Sequence, residues 1–132
     1  MFLRLLILIS FILLSAAAMG HAAPLAAPVR AEIEALLSSL EKSGCRFNRN
    51  GSWYLASEAK KHLLTKVAYL EDRSAVRDTE EFIDLAASAS SISGRAYLVQ
   101  CGDNPPVASR QWLREELARI RSSVDTQVFS PQ

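Results

Sequence analysis

The densest group of side chains able to do chemistry lies at residues 88–94, which read Ser-Ala-Ser-Ser-Ile-Ser-Gly and run on into Arg95 and Tyr97. Hydroxyls both donate and accept hydrogen bonds, and a glycine lets the backbone turn where other residues cannot. Ser90, Ser91, Ser93, Gly94, Arg95 and Tyr97 therefore form a candidate binding loop at a sheet edge. The same composition also suits a helix exit, where serines bond local backbone groups and Gly94 takes an unusual φ. Both readings stay open at this point; loops held on rigid supports often carry function.

Catalysis has less to draw on. A serine nucleophile needs a base, itself oriented by a third group. His62 is the one histidine of a chain cleaved after His21, and it stands four residues from both Glu58 and Lys66. That stripe reads as exposed side-chain pairs on a helix. Ser39–Lys42 and Ser57–Lys60 fit S-x-x-K, but no companion motif accompanies them and G-x-S-x-G is missing from the sequence. No catalytic residue is assigned, and a serine hydrolase using His62 is kept as an alternative. Glu58 and His62 could give two ligands to a metal, with no further ligand pair in view. No metal and no cofactor are expected. Asn50-Gly51-Ser52 has the form of a glycosylation sequon, which a hairpin turn explains.

The two cysteines, Cys45 and Cys101, leave no odd thiol. Their pairing depends on compartment, and the N-terminus speaks to that. Arg4 supplies one positive charge, Leu5 to Leu14 is apolar except for Ser10, and small residues dominate positions 15–23. This is the pattern of a secretory signal peptide over residues 1–22, cleaved between about residues 20 and 23. An uncleaved anchor is the rival, but the run is short of the ~20 apolar residues a spanning helix needs. Residues 23–28 read as a loose lead-in. The expected location is periplasmic or secreted, with no membrane attachment after cleavage. An oxidising compartment makes Cys45–Cys101 a disulfide, worth roughly 4 kcal/mol through the long loop it closes. A buried thiol pair or half a metal site are the alternatives.

Charge excludes some partners. The chain has 15 basic and 14 acidic residues, and Arg4 is one of the basic ones. A mature domain is formally neutral, with no field to steer it onto nucleic acid or an anionic membrane. At roughly 110 residues it is a single domain with one modest core.

Periodicity gives the elements that would position the loop. Val29, Ile33, Leu36, Leu37 and Leu40 predict a helix over 29–42, ended by Ser43-Gly44. Asn50-Gly51 predicts a hairpin with Phe47 opposite Tyr54 and Asn48 opposite Trp53. A second helix over 56–71 would bury Ala59, Leu63, Val67 and Leu70, with Lys60, Lys61 and Lys66 solvated. Asp78 and Glu81 form a capping box for a third helix to about Ala89, burying Phe82, Leu85, Ala86 and Ala89. A strand over 95–101 follows, with Tyr97, Val99 and Cys101 on one face. Ser109 would cap a last helix carrying Leu113, Leu117, Ile120 and Val124 inward, with Trp112 beside them. The globular part spans 29–124, and 125–132 read as a frayed tail. The fold class is α+β: about four helices with a small antiparallel sheet, a hairpin plus one strand, and one disulfide.

Three stretches also support a resemblance: Cys45-Arg46-Phe47 with Arg49-Asn50-Gly51; Ala59 with His62-Leu63 and Lys66; and Ser90-Ser91-Ile92-Ser93-Gly94 with Tyr97-Leu98-Val99 and Cys101. Phe82-Ile83 and Trp112-Leu113 accompany them. The set resembles a small family of exported bacterial proteins known only as a domain of unknown function. The resemblance implies a periplasmic home in Gram-negative bacteria and no activity. Ser93-Gly94-Arg95-Ala96-Tyr97 is also similar to the S-G-x-x-Y loop of some periplasmic lysozyme inhibitors, in which a serine loop enters the enzyme's cleft. That similarity implies an inhibitory role for Ser93, although the inhibitor group is all-β. The expected function is binding through the serine loop, to a periplasmic protein or a glycan.

Overall fold

A computed structural model describes residues 24–73 and 75–129. The expected signal segment, residues 1–22, lies outside them, as do residues 130–132. Helix α1 spans Ala27–Lys42, strand β1 Arg46–Arg49, β2 Ser52–Leu55, helix α2 Ala56–Glu71 and α3 Thr79–Ala86. Strands β3 (Leu98–Gln100) and β4 (Val107–Ala108) precede helix α4, Ser109–Val128. The sheet is antiparallel throughout, in the order β2-β1-β3-β4. The fold is α+β, with the expected disulfide between Cys45 and Cys101, 56 residues apart in sequence.

The hairpin forms as its turn chemistry dictates. Asn50 (φ 52°) and Gly51 (φ 86°) both take positive φ, the requirement of a type I′ turn. Phe47 faces Tyr54 and Asn48 faces Trp53 in register. Side chains alternate along β1, so Cys45, Phe47 and Arg49 share a face. Cys45 and Phe47 are buried there, and the Phe47 ring packs on that of Tyr97, which leads into the neighbouring strand β3 on the same face, centroids 5.1 Å apart.

Above that face lie the helices. Ile33, Leu36, Leu37 and Leu40 of α1 meet Leu63 of α2, Phe82 and Ile83 of α3, and Leu113 of α4 in one core. α2 also packs against the hairpin that precedes it. Among the described residues no helix is long and apolar enough to cross a membrane.

Several local expectations shift. α1 starts at Ala27, because Pro28 in the first turn lacks only an N–H that has no helical partner anyway. Leu25, expected in a loose lead-in, is buried. α3 stops at Ala86, and its buried stripe is Phe82, Ile83 and Ala86, with Leu85 on the exposed side. Asp78 caps that helix by accepting from the Glu81 N–H (2.8 Å), but the Glu81 carboxylate turns to the Arg77 N–H instead of closing the box. Ser109 is not a cap: its buried hydroxyl donates to the Ala87 carbonyl (2.8 Å), tying α4 to the end of α3. α4 runs on to Val128, and Val124 is exposed. The fourth strand, β4, is two residues long and follows Pro105-Pro106, too short to leave a period in the sequence.

Candidate functional site

The serine loop is fastened at its base. Ser90 is buried, and its Oγ accepts from the N–H groups of Ile92 (3.3 Å) and Ser93 (3.2 Å). Its backbone N–H donates to the Arg95 carbonyl, and Gly94, at φ 71°, donates to the Ser90 carbonyl, both at 2.9 Å. Ser90 and Gly94 thus do the structural work of a tight turn.

The loop is also tied sideways to the hairpin tip. Ser93 Oγ donates to Asn50 Oδ1 at 2.6 Å, and Asn50 Nδ2 donates to Ser90 Oγ at 3.4 Å. The Arg95 guanidinium lies over Gly51, where an added Cβ would sit 3.5 Å from Nη1. Ser91, Ile92, Ser93 and Arg95 remain on the exposed side, and Ile92 is 99% exposed. Ser93 is on the surface, but its hydroxyl proton is committed to Asn50. Tyr97 does not belong to the exposed loop: it is 2% exposed, with its ring in the core.

The Tyr97 hydroxyl leads to a second constellation. It lies 3.4 Å from His62 Nε2 and accepts from Lys66 Nζ at 3.3 Å. Lys66 also donates to the Ala89 carbonyl (3.3 Å) and stands over the Tyr97 ring. Arg49 Nη1 approaches His62 Nδ1 to 2.9 Å. A guanidinium can only donate, so the nitrogen facing it carries a lone pair and His62 is neutral. The nearer approach is to Nδ1 (Nε2 is 3.4 Å from the same guanidinium nitrogen), which assigns the ring proton to Nε2, on the side of Tyr97. The Arg49 guanidinium also lies over the Tyr54 ring, 5.1 Å from its centroid.

Electrostatics match that geometry. Burial, with the charges of Arg49 and Lys66 adding to it, holds the His62 pKa below the ordinary histidine value. Burial and then Arg49 likewise lower the Lys66 pKa. Burial raises that of Tyr97, with Arg49 partly opposing. Each shift disfavours a further charge in the cluster.

A cleft of about 430 Å³ opens beside the cluster, between β1 and α2. Arg49, Tyr54, Lys61 and His62 line it over a floor that includes Phe47 and Ala59. Glu58 is the acidic residue of its wall, and one of its carboxylate oxygens accepts from the Leu55 N–H at 2.8 Å, at the start of α2.

The arrangement corrects two expectations. Lys66 is half-buried and bonded rather than solvated, because α2 lays its His62–Lys66 stripe against Tyr97. His62 pairs with neither Glu58 nor Lys66. Its hydrogen bonds run to Arg49 and Tyr97, and among the described residues no serine lies within hydrogen-bond reach of it. Among the described residues no three His, Cys, Asp or Glu side chains gather as a metal group would require.

Arg49 enters the sequence reading only through the family resemblance and not as a site residue, although a signal exists. The hairpin register puts Arg49 on the Phe47 face, and His62 and Lys66 share a stripe at i, i+4. What the sequence lacks is the docking that brings the two together.

No solved structure matches the chain. It is 40% identical over 68 residues to the uncharacterized protein YfeK of Salmonella typhimurium strain LT2. That match covers 51% of this chain and 55% of the relative, so the chain spans about half the length of the curated relative it matches. Residues 27–121, from the start of α1 through most of α4, match a family of unknown function (DUF5329), and the chain belongs to that family.

Proposed function

We propose that this chain is an exported recognition domain, working in the periplasm or secreted, that binds a partner through the face where the serine loop meets the hairpin tip. One observation carries the reading: the Ser93–Asn50 bond and the Ser90 turn hold the loop rigid while Ser91, Ile92 and Arg95 stay exposed. A loop fixed in advance loses little conformational entropy on binding. A fully exposed isoleucine at its tip favours a protein partner over a glycan, since a branched aliphatic side chain gains most by burial in an apolar pocket. Export is supported by the N-terminal pattern and by a disulfide, which persists in oxidising compartments.

The test is periplasmic crosslinking in living cells with two baits, the natural chain and a Ser91→Ala/Ile92→Ala variant. Neither substitution touches the bonds that shape the loop, so the variant keeps its fold, which circular dichroism verifies. A protein captured by the natural bait and lost by the variant is the expected result. Equal capture would move the interface off the loop. Co-sedimentation of the natural chain, but not the variant, with isolated cell-wall glycan would replace the protein partner by a glycan.

A further inference from the structure

The cluster behind the hairpin holds more hydrogen-bond donors than acceptors. Arg49, Lys66, the His62 N–H and the Tyr97 O–H all donate. The acceptors among them are His62 Nδ1, the Tyr97 oxygen and the Ala89 carbonyl. The buried Tyr97 oxygen accepts from Lys66 and contacts His62, so it has little capacity left for the remaining donors. Charge is unbalanced in the same direction. Among the described residues Arg49, Lys61 and Lys66 form no ion pair, whereas Arg110, Arg114 and Arg121 of α4 do. Glu58, the acidic residue of the cleft wall, is turned to the α2 N-terminus.

We propose that the cleft between β1 and α2 is an oxyanion site, in which Arg49 and Lys61 hold a carboxylate or phosphate group beside the His62 ring while Tyr54 faces the body that carries it. A planar guanidinium offers paired donors to such a group, and hydrogen bonds between charged partners are the strong ones. The cleft, at about 430 Å³, lies within the size range of small-molecule sites. Its lining combines cationic donors with an aromatic wall and an apolar floor, which suits a compact acid such as a sugar acid or sugar phosphate. Lys66 stands behind Tyr97 and adds charge without lining the cleft. The site goes beyond the loop reading, since it needs no protein partner.

The test is a nuclear magnetic resonance titration of the intact exported protein at constant ionic strength. Sodium glucuronate, sodium glucose 6-phosphate and uncharged glucose are the probes. The expected result is saturable shifts centred on the His62 ring and the Arg49 side chain with at least one of the acids, and none with glucose. The acid that binds more tightly identifies the source of the oxyanion, carboxylate or phosphate. Arg49→Gln should weaken that binding about tenfold or more, in line with the loss of a charged hydrogen bond. If that variant does not fold, Lys61→Ala, at an exposed position, replaces it, with a smaller loss expected. Failure of both acids to shift His62 more than glucose does would overturn the site. Undiminished affinity in the folded variant would do the same. Because no partner is present, failure here leaves the serine-loop reading standing, and failure of the crosslinking leaves the titration readable.

Discussion

Two faces of this domain use arginine in opposite ways. Across the helices, Arg121 of α4 donates to Glu32 of α1 (2.7 and 2.9 Å) and to Glu80 of α3 (2.5 and 3.2 Å). Those bonds hold both carboxyls below the usual carboxylate range and raise the guanidinium pKa. Arg110 and Arg114 share Asp84 at 2.9 Å each. There, charge ties three helices together. At the cleft, Arg49 faces a neutral imidazole and an aromatic ring, and its neighbours are cations. The first arrangement is satisfied by the fold. The second has neutral partners but no carboxylate within the fold to balance its charge, and that imbalance is the ground of the proposed oxyanion site.

The largest effect should come where core and cleft meet, at Tyr97. Its ring fills the core against Phe47 while its hydroxyl organises His62 and Lys66. Tyr97→Ala should cost roughly 3–5 kcal/mol, the range for removing a large buried aromatic. Tyr97→Phe separates the two roles: it keeps the ring and removes the acceptor, for about 1 kcal/mol. Denaturant unfolding measures both. If Tyr97→Phe cost nothing, the cleft side chains would be organised without the hydroxyl and the contrast between the faces would weaken.

Arg121→Ala should come next, at about 1 kcal/mol by the same measurement. The upper end of the range for exposed ion pairs applies because two carboxylates share one guanidinium, and the cost should shrink in high salt. A loss that is indifferent to salt would mean that the side chain acts through packing and not through charge.

The two faces differ equally in how far they could be read from the sequence. The hairpin register followed from Asn50-Gly51 alone, and α2 from its apolar stripe, because local backbone chemistry decides both. The disulfide followed from cysteine count and compartment. Lys66 departs from its expected place in solvent, because a lysine on a helix is normally solvated and only the packing of α2 against Tyr97 changes that. The role of Arg49 depends on a contact between residues 13 apart and on opposite elements. Ser109 shows the same limit: its position before an apolar run is that of a cap, and the close approach of α3 gives its hydroxyl a different acceptor. β4 is too short to carry any periodic signal. The serine loop was legible as a loop, but which hydroxyls face outward is fixed by Asn50, far away in sequence.

Acid should separate the faces at a smaller scale. The folded His62 pKa lies below its ordinary value of about 6.5, so the unfolded chain takes up that proton first as pH falls. Stability contributed by the cleft is therefore full above about pH 6.5 and declines below it, until folded His62 is protonated as well. Glu32 and Glu80 are depressed instead, so their contribution holds through that window and is lost only as pH falls below about 4.3. Unfolding midpoints measured against pH should fall in two stages. His62→Gln should remove the upper stage and Arg121→Ala should diminish the lower. A bound oxyanion should delay the upper stage, because its charge would favour protonated His62.

Arg49→Ala should have the smallest effect on stability and is the sharpest test of the comparison. Removing this half-buried guanidinium loses its hydrogen bond to His62 and its contact with the Tyr54 ring, each worth about 0.5–1 kcal/mol. It also relieves the field of a cation on His62 and Lys66. The losses and the relief oppose each other, so the net change should lie within about 0.5 kcal/mol, as for ordinary surface substitutions. The His62 pKa should rise at the same time, since one cause of its depression is gone, and a ring-proton titration reads this directly. A cost as large as that of Arg121→Ala would place Arg49 among the structural ties. A near-zero cost joined to a raised His62 pKa would mark a charge that the fold tolerates but does not use, which is the physical condition for a side chain kept free to meet a ligand.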